Sequence, residues 1–172
     1  MRRTFGVAAV VGIIAVWVAG CSQASPTSPA LALGGGGALG RGGVQTVPLK
    51  GSLEGTVAIT PLDPPMASVV ITASGNATQL GRFTLQMPHL VNFATATGEG
   101  TFTFSAANGD TLSGVFTGHA DTTPPIFAIE EGGSITGGTG RFSGASGTIA
   151  IHRLFDPAAG TTTGTIEGTL TF

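Results

Sequence analysis

Past residue 46 the chain alternates. Phe102 and Phe104 stand against Thr101 and Thr103, and Ile149 and Ile151 against Ala150 and His152. At the end, Ile166, Leu170 and Phe172 stand against Thr165, Glu167, Thr169 and Thr171. A period of two puts one set on each face of an extended strand, so each run buries one side and wets the other. Eight such runs can be marked off: 50–59, 67–74, 81–87, 98–106, 111–120, 125–135, 145–153 and 162–172. Glycine or proline punctuates them, and no window past Thr46 carries the spacing of an amphipathic helix. The 29 glycines and 10 prolines in 172 residues agree, because both disfavour helix interiors.

Ala107-Asn108-Gly109-Asp110 separates two of these runs, and Asn-Gly between alternating segments predicts an antiparallel hairpin of 100–106 with 111–119. Eight strands over residues 47–172 suit a closed barrel or a β-sandwich. Closure is preferred because it removes the unpaired edges that make a Thr/Val-rich sheet prone to aggregate. The expected fold is therefore all-β: an antiparallel closed β-barrel of about eight strands, with a β-sandwich as the alternative. A barrel inserted in an outer membrane fits less well. Such barrels carry aromatic girdles, whereas this chain has no Tyr and its one Trp, Trp17, lies near the start. The 67–73 run also reads as short for a tilted span.

The N-terminus has a different character. Arg2 and Arg3 precede an uncharged apolar stretch from Phe5 to Ala19. It is shorter than the roughly 20 residues of a membrane-spanning helix and fits the core of a secretory signal. Val18-Ala19-Gly20-Cys21 resembles the lipobox of bacterial lipoproteins. That resemblance implies cleavage before Cys21, lipidation of Cys21 and export. Ser22 in place of Asp would favour the outer membrane in a two-membrane cell. Cys21 is the only cysteine, so no internal disulfide and no cysteine-based metal site can form. Residues 21–46, rich in Ser, Pro and Gly, read as a flexible linker without a core. The expected organisation is a signal over 1–20, the lipidated Cys and linker over 21–46, and a β domain over 47–172.

Charge narrows the partners. Only 9% of residues are charged, and Lys50 is the single lysine. Loss of Arg2 and Arg3 with the signal would leave the chain more acidic than its formal −2. No Lys/Arg field exists to hold nucleic acid, so membrane attachment would come from the lipid.

Residues 137–147, Gly-Gly-Thr-Gly-Arg-Phe-Ser-Gly-Ala-Ser-Gly, resemble the GGTG-x-F-x-x-A-x-G stretch of the allene oxide cyclase and dirigent barrel group. Gly75–Phe83 is similar to a segment of bacterial secreted proteins of that barrel type. The resemblance implies an eight-stranded antiparallel barrel and permits a cavity for an apolar, oxidised-lipid or phenolic compound. It carries over no catalytic position. Mechanically, the glycines permit a tight turn that sends Phe142 inward and Arg141 outward.

Candidate chemistry is sparse. Glu130 and Glu131 adjoin on a strand and so point to opposite faces, leaving one to face inward. With His119 and His152 they form the set of candidate ligand contacts; Glu99 and Glu167 are weaker versions. His89, like the other two, reads most simply as a solvated or singly hydrogen-bonded histidine. Three dispersed histidines do not make a metal site, and no cofactor is expected. The chain reads as an exported lipoprotein that binds an apolar small molecule or an envelope partner without catalysis. A purely structural or interaction role, and an isomerase or cyclase of the resembling group, are the alternatives. An open apolar lumen with an inward carboxylate or histidine would favour binding or catalysis, and a lumen packed with Phe and Ile would remove both.

Overall fold

The computed structural model describes residues 43–172. The expected signal, Cys21 and the expected linker as far as residue 42 lie outside the described residues. Eight strands follow one another: β1 Thr46–Pro61, β2 Met66–Ala77, β3 Gly81–Asn92, β4 Thr97–Ala106, β5 Thr111–Asp121, β6 Phe127–Gly138, β7 Ser146–Asp156 and β8 Thr161–Thr171. Each pairs antiparallel with the next, and β1 pairs with β8, closing the barrel. The sandwich alternative is set aside. The predicted hairpin forms, with Gly109 at φ +89° and its amide donating to the Ala106 carbonyl.

The strands outrun the alternating segments that predict them. β2 covers Met66–Ala77 rather than 67–73, so strand length does not argue against a membrane span. The outward face does. It exposes Lys50, Glu54, Arg82, Glu99, Glu130 and Glu167 among threonines, with Val70, Leu90, Val115 and Leu154 scattered between them, while the lumen is mainly apolar. That is the reverse of a membrane barrel, whose outer band is apolar.

Inward positions are filled by Phe, Leu, Ile and Met in register, including Phe83, Leu85, Met87, Phe102, Phe104, Ile149 and Ile166. Phe83 and Phe104 meet edge to face at 5.0 Å. Large inward rings sit beside glycines: a Cβ on Gly75 would lie 2.8 Å from the Phe83 ring. Glycine thus makes room for aromatics in a narrow lumen.

The two ends differ. At one end lie the β2–β3 and β4–β5 turns, the β6–β7 connection, and the chain's entry and exit, with Thr46 opposite Thr171. The motif of residues 137–147 closes this end. A single 3-10 turn, Gly140–Phe142, buries Phe142 completely beside Leu80, Ala145 and Leu170. Arg141 stays exposed and donates from Nη2 to the Leu80 carbonyl at 3.2 Å. Gly140 has φ +56°, and the Asp110 carboxylate occupies the space a Cβ would need. Phe172 falls in phase with Ile166 and Leu170 but, at the chain end, stays 41% exposed and stacks on Phe142. The other end, framed by the loops 62–65, 93–96, 122–126 and 157–160, is a mouth.

Candidate functional site

The mouth leads into a cavity of about 190 Å³. Its walls are mainly apolar, from Val57 and Ile59 on β1, Val69 and Ile71 on β2, Phe116 on β5, Ile129 on β6 and Phe155 on β7. The volume lies below the roughly 300–1,000 Å³ of common small-molecule pockets. It suits a fragment-sized occupant, or one end of a longer molecule.

Thr97, His119 and Thr122 also line the cavity, and three polar side chains break its apolar wall from inward strand positions: His89, Glu131 and Arg153. Each continues the inward phase of its strand. Glu131 follows Phe127 and Ile129, Arg153 follows Ile149 and Ile151, and His89 follows Leu85 and Met87. Each also faces a glycine across the sheet, in the pairs His89 with Gly100, Glu131 with Gly118 and Arg153 with Gly164. A Cβ on Gly118 would lie 2.7 Å from Glu131 Cγ, and one on Gly164 would lie 2.9 Å from Arg153 Cγ.

Glu131 and Arg153 form a bidentate pair. Arg153 donates from Nε to Oε2 at 2.8 Å and from Nη2 to Oε1 at 2.6 Å. Nη1 donates to Thr162 Oγ1 at 3.2 Å, and that hydroxyl donates to the Leu154 carbonyl at 3.0 Å. All three residues are 5% exposed or less. Desolvating two charges costs several kcal/mol each, and only paired geometry of this kind offsets it.

His89 is half-buried. Its Nδ1 lies 3.0 Å from the Met87 carbonyl, and its ring meets Phe116 at 5.4 Å and 67°. A carbonyl only accepts, so Nδ1 carries the proton. Burial is the main influence on its titration and lowers the pKa below the ordinary 6.5. The Met87 bond and the Glu131 charge oppose that shift, and Arg153 adds to it. Neutral His89 therefore presents its Nε2 lone pair.

Of the sequence candidates, the structure brings only Glu131 into the lumen. Glu130 takes the outer wall, as strand alternation requires of its neighbour. There it lies in register with His119 on β5 and His152 on β7. Its carboxylate is 3.8 Å from His119 Nε2 and 4.0 Å from His152 Nδ1, with all three side chains more than half exposed. His119 borders the mouth, yet its ring turns to this outer cluster. Glu99 and Glu167 also face outward. Among the described residues no group of three His, Cys, Asp or Glu side chains is placed to hold a metal ion. Arg153, Thr162 and His89 are the lumen residues that reading the sequence for candidate chemistry passed over.

No protein-family model matches the chain. No curated protein matches it in sequence. Among solved structures it is similar to a pterocarpan synthase dirigent protein, with a TM-score of 0.57 and 17% identity, over 87% of this chain and 96% of that one. At that identity the likeness is one of fold: the chain is a dirigent-like eight-stranded antiparallel barrel.

Proposed function

We propose that this barrel takes a small apolar molecule into its mouth cavity and holds it against a polar floor. One observation carries the reading: the lumen is solid at one end, yet at the other its apolar wall stops at a buried, fully bonded Glu131–Arg153 pair. A barrel serving only as a packed scaffold has no need of that pair, since apolar residues of similar volume commonly stabilise as well or better. The test is native mass spectrometry of the protein after exposure to a mixture of neutral apolar small molecules, beside an Ile129→Trp variant whose indole fills the cavity. A bound mass on the wild type that is absent from the variant supports the reading. Equal binding by both places the molecule elsewhere and defeats it.

A second reading is that the occupant is turned over in an isomerase- or cyclase-like reaction. The dirigent likeness favours it, because the similar structure is named a synthase, and so do ionisable groups lining the cavity. Chromatography of the recovered ligand separates the two: an unchanged molecule supports binding alone, and an isomer of equal mass supports turnover.

We further propose export and lipid anchoring through Cys21, on the strength of the Val18–Cys21 lipobox. Labelling with radioactive palmitate should mark the wild type and not Cys21→Ser.

A further inference from the structure

Resting on the pocket reading above, we propose that His89 reads the polar end of the occupant. Its Nε2 accepts a hydrogen bond from the hydroxyl of a neutral, largely apolar molecule, and the site turns away carboxylates of the same shape.

Three observations combine. First, His89 is held in place with one nitrogen free. The Nδ1 proton goes to the Met87 carbonyl at 3.0 Å, Phe116 abuts the ring, and Gly100 lets the neighbouring strand close against its Cβ. Nε2 has no hydrogen-bond partner among the described residues, and the residue lines the cavity. A free acceptor on a side chain that lines an apolar pocket is satisfied by a donor on the occupant.

Second, the charged pair beside it is already occupied. Both Glu131 oxygens accept from Arg153, whose third nitrogen is held by Thr162. Arg153 is the only Lys or Arg among the cavity-lining residues, so an anion would have to break that pair to find a counter-charge. Third, the mouth is acidic. Asp63 stands in the β1–β2 loop, Asp121 ends β5 and Asp156 ends β7. Bonds from Thr123 hold the Asp121 carboxyl below its ordinary range, so it stays ionised. Negative charge around an opening repels anions. The charged groups facing His89 across the lumen are Glu131 and Arg153, so its proton balance is set within the pocket.

The probes are 2-naphthol, 2-methoxynaphthalene and 2-naphthoate: one skeleton with a neutral donor, with no donor, and with a negative charge. Calorimetric titration of the wild type at pH 7.5 should show naphthol bound about fivefold more tightly than the methoxy compound, the scale of one hydrogen bond, with naphthoate weakest. His89→Phe keeps the ring and should bind the two neutral probes alike. In the wild type the naphthol preference should also fade as the pH falls below the ordinary histidine 6.5 and through the lowered value of His89, because protonated His89 cannot accept. This second measurement does not depend on the variant folding. A preference that persists in His89→Phe or at low pH overturns the role of His89 and leaves the pocket standing. Tighter binding of naphthoate overturns the anion exclusion. If no probe binds the wild type, the pocket reading falls and this inference with it.

Discussion

The two ends of the barrel are built from the same eight strands yet solve opposite problems. At the closed end inward positions carry Phe83, Phe102, Phe104 and Leu170, and the turn at Gly140–Phe142 drives one more ring into the remaining gap. At the mouth the inward positions of β1 and β2 are Val57, Ile59, Val69 and Ile71, with no ring among them, and the polar trio stands on β3, β6 and β7. Strand geometry is shared, so the difference lies in which side chains stand in phase and in the 3-10 turn that fills the closed end. A closed sheet alone therefore specifies neither a pocket nor a solid core. The residues in phase on each strand decide that separately for each half.

This contrast can be broken from either side, and the largest effects come from the buried groups. Phe142→Ala leaves a ring-sized void at the closed end and should cost about 3–5 kcal/mol in denaturant unfolding, with little change in ligand affinity if the protein is assayed while folded. Arg153→Met strands Glu131 in an apolar wall and should cost a similar ~3–5 kcal/mol. The double variant Glu131→Leu/Arg153→Met should return to within about 1 kcal/mol of wild type or exceed it. That recovery would show that the mouth keeps its charges for something other than stability. Failure of the double variant to recover would make the pair a structural element like Phe142.

Smaller effects sharpen the picture. Gly140→Ala forces a side chain into a left-handed backbone position already filled by the Asp110 carboxylate, for a loss of about 1–3 kcal/mol, read as a lower midpoint at constant slope. The mildest effect is a pH dependence confined to the mouth. Burial holds His89 below its ordinary 6.5, so the unfolded chain takes up this proton first as pH falls. Its contribution is complete above about pH 6.5 and is lost as pH drops through the lower, folded value. Stability curves of wild type and His89→Phe should converge in shape above that window and separate within it.

Much of this was legible from alternation alone. All eight runs became strands, the Asn108-Gly109 hairpin formed, and the glycine-rich stretch sent Phe142 inward and Arg141 outward as the turn chemistry demanded. The site was half legible. Adjacency meant that one of Glu130 and Glu131 faces the lumen, but choosing between them needed the phase of Phe127 and Ile129. The same extrapolation from Ile149 and Ile151 places Arg153 inside, and from Leu85 and Met87 it places His89 there. What alternation could not supply is register. Only the pairings of β6 with β7 and of β7 with β8 show that the Arg153 fork reaches Glu131 and Thr162, and only those of β5 with β6 and β6 with β7 show that His119, Glu130 and His152 share a row on the outer wall.

The central claim is that one half of the lumen is a binding site and the other half is core. Backbone and methyl NMR of the protein titrated with 2-naphthol tests it directly. The account predicts saturable shifts at Val57, Val69, Ile71, Ile129 and the His89 ring, with Leu49, Leu80, Leu112 and Leu170 at the closed end unmoved. Shifts centred on the closed end or spread over the outer wall, or no saturable shift at all, would contradict it.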